Sequence, residues 1–253
     1  MKKILIPIPS YGFDPTEAAI PWKLISETGF EIVFATPDGK MASADNRMLT
    51  GEKFGFLKPV FQARNDAVDA YPEMEGSAPF CNPLTYKDLQ EENFDALLLP
   101  GGHDKRVKEY LESKALQNLI VDFFHAGKSV GAICHGVLLP ARSINPDTNK
   151  SVIYNYKTTA PLKSQESLGY NLTRLWLKDY FLTYPEIYTE DEVRSALADS
   201  TNFVKGPFPM LRDNKDHLER GFALRDRNYV SARWYGDAYN FSIEFIKLVQ
   251  NGE

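Results

Sequence analysis

Short apolar runs alternate with amphipathic stretches through the first half of the chain. "KKILIPIPS" at residues 2–10 is apolar, brief and ended by turn formers, which predicts a buried strand. "DPTEAAIPWKLISETG" predicts a helix. Asp14 is placed as its N-cap, Pro15 suits its first turn, and Gly29 stops it. "FEIVFATPDG" predicts a second buried strand ended by Pro37, Asp38 and Gly39. The chain therefore opens β-α-β, and the right-handed crossover rule makes these strands parallel neighbours.

Residues 40–93 are less regular, and loops, a short hairpin and a short helix are expected there. "FDALLLPGGHD" predicts a third buried strand running into paired glycines. "RVKEYLESKALQNLIVDFFHAG" predicts one long amphipathic helix ended by Gly127. "KSVGAIC" predicts the next strand, and "HGVLLPAR" begins the helix after it. Beyond this point "KSVIYNYKTT" reads as a strand. "SQESLGYNLTRLWLKDYFLTYP" and "TEDEVRSALADS" read as aromatic-rich helices, "RNYVSARW" as a late strand and "GDAYNFSIEFIKLVQ" as a closing helix. Strands alternating with helices imply an α/β fold: a doubly wound parallel sheet with helices on both faces, an α/β/α sandwich. One domain over 1–253 is expected, carrying an inserted helical cap at roughly 157–217.

Composition narrows the function classes. Of 253 residues, 43% are hydrophobic and 25% charged, ordinary for a globular chain with a sizeable core. The net charge of −5 is spread without a basic block, so neither a nucleic-acid nor a membrane partner is expected. The two cysteines, Cys81 and Cys134, make no disulfide framework and no zinc-ligand pattern. The two lysines at the start precede an apolar run broken by Pro7 and Pro9, unlike a signal peptide. A cytoplasmic protein with free thiols and no metal or other cofactor is the expectation.

In an open parallel sheet, ligands bind beyond the carboxyl ends of the strands. Two of the clearest strands end there in "PGGH" (100–103) and "AICHG" (132–136). Cys134 falls between strand and helix with almost no loop, the layout of a nucleophile elbow, with Ala132 in place of its first glycine. A cysteine in an apolar run is ordinarily a packing residue; the elbow and the facing glycines argue for a nucleophile. A thiol at a helix start is expected to have its pKa lowered toward neutrality. The backbone N–H groups of His135 and Gly102 are candidates for an oxyanion hole, and Gly101 lets backbone approach the site. His103 either lines a substrate pocket or merely ends a loop. Cys81, in a Pro/Asn loop, has no partner pattern.

"LLLPGGHD", the long helix and "GKSVGAICHG" together resemble the ThiJ/PfpI superfamily, whose members share the flavodoxin-like class I glutamine amidotransferase fold. In that superfamily a glutamate four residues before a proline faces the nucleophile; here that is Glu17, before Pro21. Beside Cys134, its carboxyl would be driven neutral, able to donate a hydrogen bond or pass a proton. The histidine directly after the cysteine resembles the branch holding heat-shock chaperones, intracellular protease-like proteins and cofactor-independent glyoxalases. In that branch a downstream acid orients the histidine, and by spacing this implies Glu166. Some members carry Asp a few positions earlier, where this chain has Lys163.

The resemblance implies a cysteine-dependent enzyme acting on a small carbonyl or amide substrate, glyoxalase III-like or hydrolase-like, and a homodimer. A holdase chaperone, a thiol redox sensor, an intracellular protease and a glutamine amidotransferase stand as alternatives. The last draws on "HLE" at 217–219, which sits in a charged turn rather than after an apolar strand.

Overall fold

The alternation in "KILIP" sends Leu5 to one side of the first strand and its neighbours Ile4 and Ile6 to the other, and all three are fully buried. A strand covered on both faces must lie inside a parallel sheet. The structure, a computed structural model, describes residues 1–252. Its central sheet has seven strands: β1 (Lys3–Pro7), β2 (Glu31–Thr36), β3 (Leu84–Thr85), β4 (Ala96–Leu99), β5 (Ser129–Ile133), β6 (Ala223–Asp226) and β7 (Tyr229–Ala232). Their spatial order is β6-β7-β5-β4-β1-β2-β3. All pairings are parallel except that of edge strand β6 with β7.

Helices cover both faces. Ile4, Ile6, Leu98 and Val230 pack with α1 (Pro15–Ser26), α2 (Asn65–Glu75) and the closing helix Ala238–Asn251, through Ala18, Ala67, Phe241 and Phe245. On the other face Leu5, Leu97, Leu99 and Val130 pack against α3 (Lys114–His125) and α4 (Leu138–Arg142) through Leu116, Ile120, Phe123 and Leu139. This is the doubly wound, flavodoxin-like arrangement. Asp14 caps α1 as its position suggested, its Oδ1 accepting from the N–H groups of Thr16 (2.8 Å) and Glu17 (3.2 Å).

Several elements depart from the sequence reading. The long helix expected over 106–127 is broken: a short turn of helix at Lys108–Leu111 ends, and Ser113 caps a new start at Lys114. In place of a hairpin within 40–93, Ser43–Ala44 pairs in parallel with Tyr11–Phe13, and α2 runs eleven residues despite Pro72. "KSVIYNYKTT" adds no strand to the central sheet. Lys150–Ser151 pairs only with Ile144–Asn145, and turns follow, because β7 already occupies the place beside β5. Edge strand β6 escaped the reading because its residues are at most half-buried and do not form an apolar run.

The segment read as a cap contains α5 (Lys163–Leu177) and α6 (Thr189–Ser195). The first ends earlier than the aromatic run suggested, at Lys178 with φ 55°. No helix is long and apolar enough to cross a membrane among the described residues.

The backbone between β5 and α4 passes close under the loop after β4. A methyl group at Gly136 would lie 2.3 Å from the Leu99 carbonyl oxygen and 2.7 Å from that of Pro100. Both neighbours are backbone and cannot yield. Gly136→Ala should therefore destabilise the fold by about 3 kcal/mol, the upper end for overpacking, read from urea unfolding midpoints.

Candidate active site

Cys134 leaves β5 and enters a four-residue 3₁₀ turn with φ 56°, a left-handed conformation that few non-glycine residues adopt. The residue is 8% exposed. The sulfur lies 3.3 Å from His135 Nδ1, and the His135 backbone N–H faces it as well.

Gly101 explains how the remaining groups converge. A methyl group there would sit 2.7 Å from Glu17 Oε2, 2.8 Å from Cys134 Cβ and 2.8 Å from the His135 nitrogen. The Gly101 N–H donates to Glu17 Oε2 at 3.1 Å, and its carbonyl accepts from the Asp14 N–H at 3.0 Å. The first helix and the loop after β4 thus fasten the carboxyl beside the elbow. Glu17 Oε1 is buried with no hydrogen-bond partner.

His135, 3% exposed, points its other nitrogen toward Glu166: Nε2 and Oε1 are 3.4 Å apart, within ion-pair range but outside hydrogen-bond geometry. Glu166 is held by the start of α6, accepting from the Thr189 N–H (2.8 Å) and hydroxyl (3.0 Å). Lys163, standing where some relatives have Asp, turns away; its ammonium bonds Asp191 at 2.7 Å. The structure therefore brings Cys134, His135, Glu17 and Glu166 together.

The glycines and His103 fall differently. Gly102 packs against the backbone of Gly12 and Phe13 and does not line the cavity above the sulfur, so the geometry lends no support to its expected oxyanion role. Gly101 is not in the cavity wall either; its N–H is spent on Glu17, and it serves by leaving room. His103 does line the cavity, stacked on Phe181 with ring centroids 4.8 Å apart. Its Nε2 has no partner, and burial pulls its pKa down to about 3, so the ring is neutral.

Burial dominates the electrostatics. It pushes the Glu17 carboxyl well above the usual glutamate range, and the neighbouring Asp14 pushes it further. Asp14 itself is raised by burial to about 6. The expected lowering of the Cys134 thiol is overturned: burial raises it, followed by the negative charge of Glu17 and Asp14. The His135 N–H acts the other way, but it belongs to a short 3₁₀ turn and α4 has only five residues, so little helix dipole reaches the sulfur. When Glu17 carries its proton, its push on the sulfur vanishes and the carboxyl becomes a donor toward it.

A cavity of about 650 Å³ opens above these groups. Its walls include Phe61, Phe181, Leu168 and Leu172, with Met210 and Trp234 farther round. Sequence reasoning missed Trp234, whose Nε1 is buried without a partner. The available signal was its position just past the carboxyl end of β7, the edge where ligands bind. It also missed the buried Arg233–Asp237 pair. Arg233 donates from Nε and Nη2 to Asp237 at 2.8 Å each and holds the carbonyls of Lys205 and Pro207. That bond set roots the segment carrying Phe208, Met210 and Leu211 to the cavity edge. Cys81 is a free, exposed thiol outside the cavity. Among the described residues, no group of three or more His, Cys, Asp or Glu side chains is arranged to hold a metal ion.

A flavodoxin-like sheet with a cysteine elbow, an adjoining histidine and a facing glutamate defines a class of α/β proteins, and comparison with known proteins gives the family. The chain belongs to the ThiJ/PfpI family: the pattern described as ThiJ/PfpI family-like matches residues 8–186. An uncharacterized protein of Schizosaccharomyces pombe is 35% identical over 123 residues, 48% of this chain and 45% of that protein. A glutathione-independent glyoxalase of the same yeast is 26% identical over 161 residues, covering 62% of this chain and 63% of that protein. The match thus spans less than two thirds of either relative. The solved structure of glyoxalase III from Candida albicans superposes with a TM-score of 0.62 at 18% identity, covering 97% of this chain and 96% of that one.

Glu17 gives a signed prediction. A folded carboxyl with a raised pKa keeps a proton that the unfolded chain releases above about pH 4.3, so its contribution to stability falls as pH rises, by about 1.4 kcal/mol per unit. Glu17→Gln removes that titration. Relative to the native chain, the variant should gain stability between pH 5 and pH 8 in urea unfolding; an equal offset at both pH values would mean that Glu17 titrates normally.

Proposed function

We propose that the protein is a cofactor-independent glyoxalase of the glyoxalase III type, converting a 2-oxoaldehyde and water into a 2-hydroxy acid with Cys134 as nucleophile. The observation that carries this reading is the Cys134 sulfur beneath an open cavity, 3.3 Å from His135 Nδ1 and beside the buried carboxyl of Glu17. Similarity to a glutathione-independent glyoxalase and to the fold of glyoxalase III supports it.

The chemistry follows from the groups present. The thiol proton passes to His135 Nδ1 as the sulfur adds to the aldehyde carbon. A C–S bond forms, and the carbonyl electron pair moves to oxygen, which takes up a proton, giving a hemithioacetal. A base then removes the remaining hydrogen of that carbon as a proton. His135 is placed for this, with Glu166 stabilising the charged ring. The resulting enediol is reprotonated on the neighbouring carbon, and the first carbon becomes a thioester. Water cleaves the C–S bond, releasing the 2-hydroxy acid and restoring the thiol. One carbon is oxidised as its neighbour is reduced, so no outside electron acceptor is required. Neutral Glu17 donates toward the sulfur as negative charge develops on it.

The amidotransferase reading is less well supported. His217 and Glu219 bond each other at 3.1 Å on the exposed surface, and neither lines the cavity.

The test is purified protein with methylglyoxal, without glutathione, followed by lactate formation. Cys134→Ala should abolish turnover. Glu17→Gln and His135→Ala should each lower kcat by about 10²–10⁴-fold, the span of positioned acid–base groups. Lactate formation undiminished in Cys134→Ala would defeat the reading.

A further inference from the structure

The cavity is far larger than a three-carbon oxoaldehyde needs. At about 650 Å³ it falls within the ~300–1,000 Å³ of sites that enclose drug-sized ligands. Its polar and apolar parts are also unevenly composed. Two buried polar atoms of its lining, His103 Nε2 and Trp234 Nε1, have no partner, whereas Glu17 is turned to the sulfur and His135 Nε2 to Glu166. Much of the remaining wall is hydrocarbon or aromatic: Phe61, Phe181, Leu168, Leu172 and Met210. Three of these wall residues stay substantially exposed, Leu168 at 54%, Leu172 at 43% and Met210 at 76%.

The two cations in the wall are already committed. Arg64 is paired with Asp66. Arg212 donates to the backbone carbonyls of Gln62 and Val60 and lies over the Tyr235 ring. The Arg64 charge is offset by its carboxylate, and an anionic ligand end could take the Arg212 fork only by displacing its bonds to backbone carbonyls. A carboxylate laid against these apolar side chains would give up part of its hydration and gain no partner.

We propose that the substrate is an elongated, uncharged 2-oxoaldehyde. Its adjacent carbonyls meet the unpartnered polar atoms, and a hydrocarbon tail of about six carbons lies along Leu168, Leu172 and Phe181. This names the substrate class of the site and rests on the glyoxalase reading above. The tail covers apolar surface that the protein leaves open.

The experiment compares kcat/KM for methylglyoxal, 2-oxohexanal, 2-oxooctanal and 7,8-dioxooctanoate. The last has the length of 2-oxooctanal but ends in a carboxylate. Full burial is worth about fourfold per methylene, and a half-open wall less, so the rise from methylglyoxal to 2-oxooctanal should be roughly 30-fold or more. The carboxylate-ended compound should fall back to near the methylglyoxal value. Leu172→Glu, at a half-exposed position that tolerates a charge, should collapse the ratio of 2-oxooctanal to methylglyoxal. A flat series, or 7,8-dioxooctanoate matching 2-oxooctanal, would overturn the proposal.

Binding of the unreactive diols 1,2-octanediol and 1,2-propanediol, measured by ligand-observed NMR, separates this proposal from the reaction it rests on. Tighter binding of the octanediol with no turnover of any oxoaldehyde keeps the ligand class and sinks the glyoxalase reading. Turnover of all the oxoaldehydes with no preference for length or for the octanediol does the reverse.

Discussion

The turn at Cys134 is the constraint on which the site depends. A non-glycine residue at φ 56° costs of order 1–3 kcal/mol and persists only where its surroundings leave no alternative. Here β5 enters the turn from the middle of the sheet, paired on one side with β4 and on the other with β7. α4 leaves it immediately, and Gly136 lets that exit press against the carbonyls of Leu99 and Pro100. The sulfur is therefore positioned by the two central strands and not by a loop. The groups that meet it come from the next strand's loop and from α1, both fixed by the same sheet.

Electrostatics at this point run against stability. Two acids, Asp14 and Glu17, and a thiol share a volume with little access to water, and burial raises all three. The structure compensates locally: Asp14 is held by two backbone N–H groups and Glu17 by one. Asp14 Oδ2 stays unpartnered away from the cavity, while His103 Nε2 and Trp234 Nε1 are unpartnered atoms of cavity-lining residues. Such unpartnered groups are where a substrate's polar atoms can be received without displacing protein bonds.

Much of this was legible from residue order alone. The opening β-α-β, the strands ending in "PGGH" and "AICHG", and the Asp14 cap follow from local pattern, because parallel strands buried on both faces are short continuous apolar runs. Glu17 and Glu166 were reachable through resemblance, and the structure sets both near the elbow. What local pattern could not give is whatever depends on distant packing. The thiol's environment is one case: position at a helix start argued for a lowered pKa, but burial under segments far away in sequence decides the sign. The cavity wall is another, since Phe61, Leu172 and Trp234 are brought together only by the fold. "KSVIYNYKTT" misled because strand propensity cannot reveal that a later segment takes the neighbouring place in the sheet.

The buried Arg233–Asp237 pair has a bearing on how this scaffold can diversify. Its guanidinium grips the carbonyls of Lys205 and Pro207, and the chain beyond that grip forms part of the cavity mouth. The mouth is thereby moored to β7's end, one strand removed from Cys134. Side chains between 208 and 211 hang beyond a fixed root, so substitutions there reshape what the protein admits while the strand that aims the sulfur is left untouched.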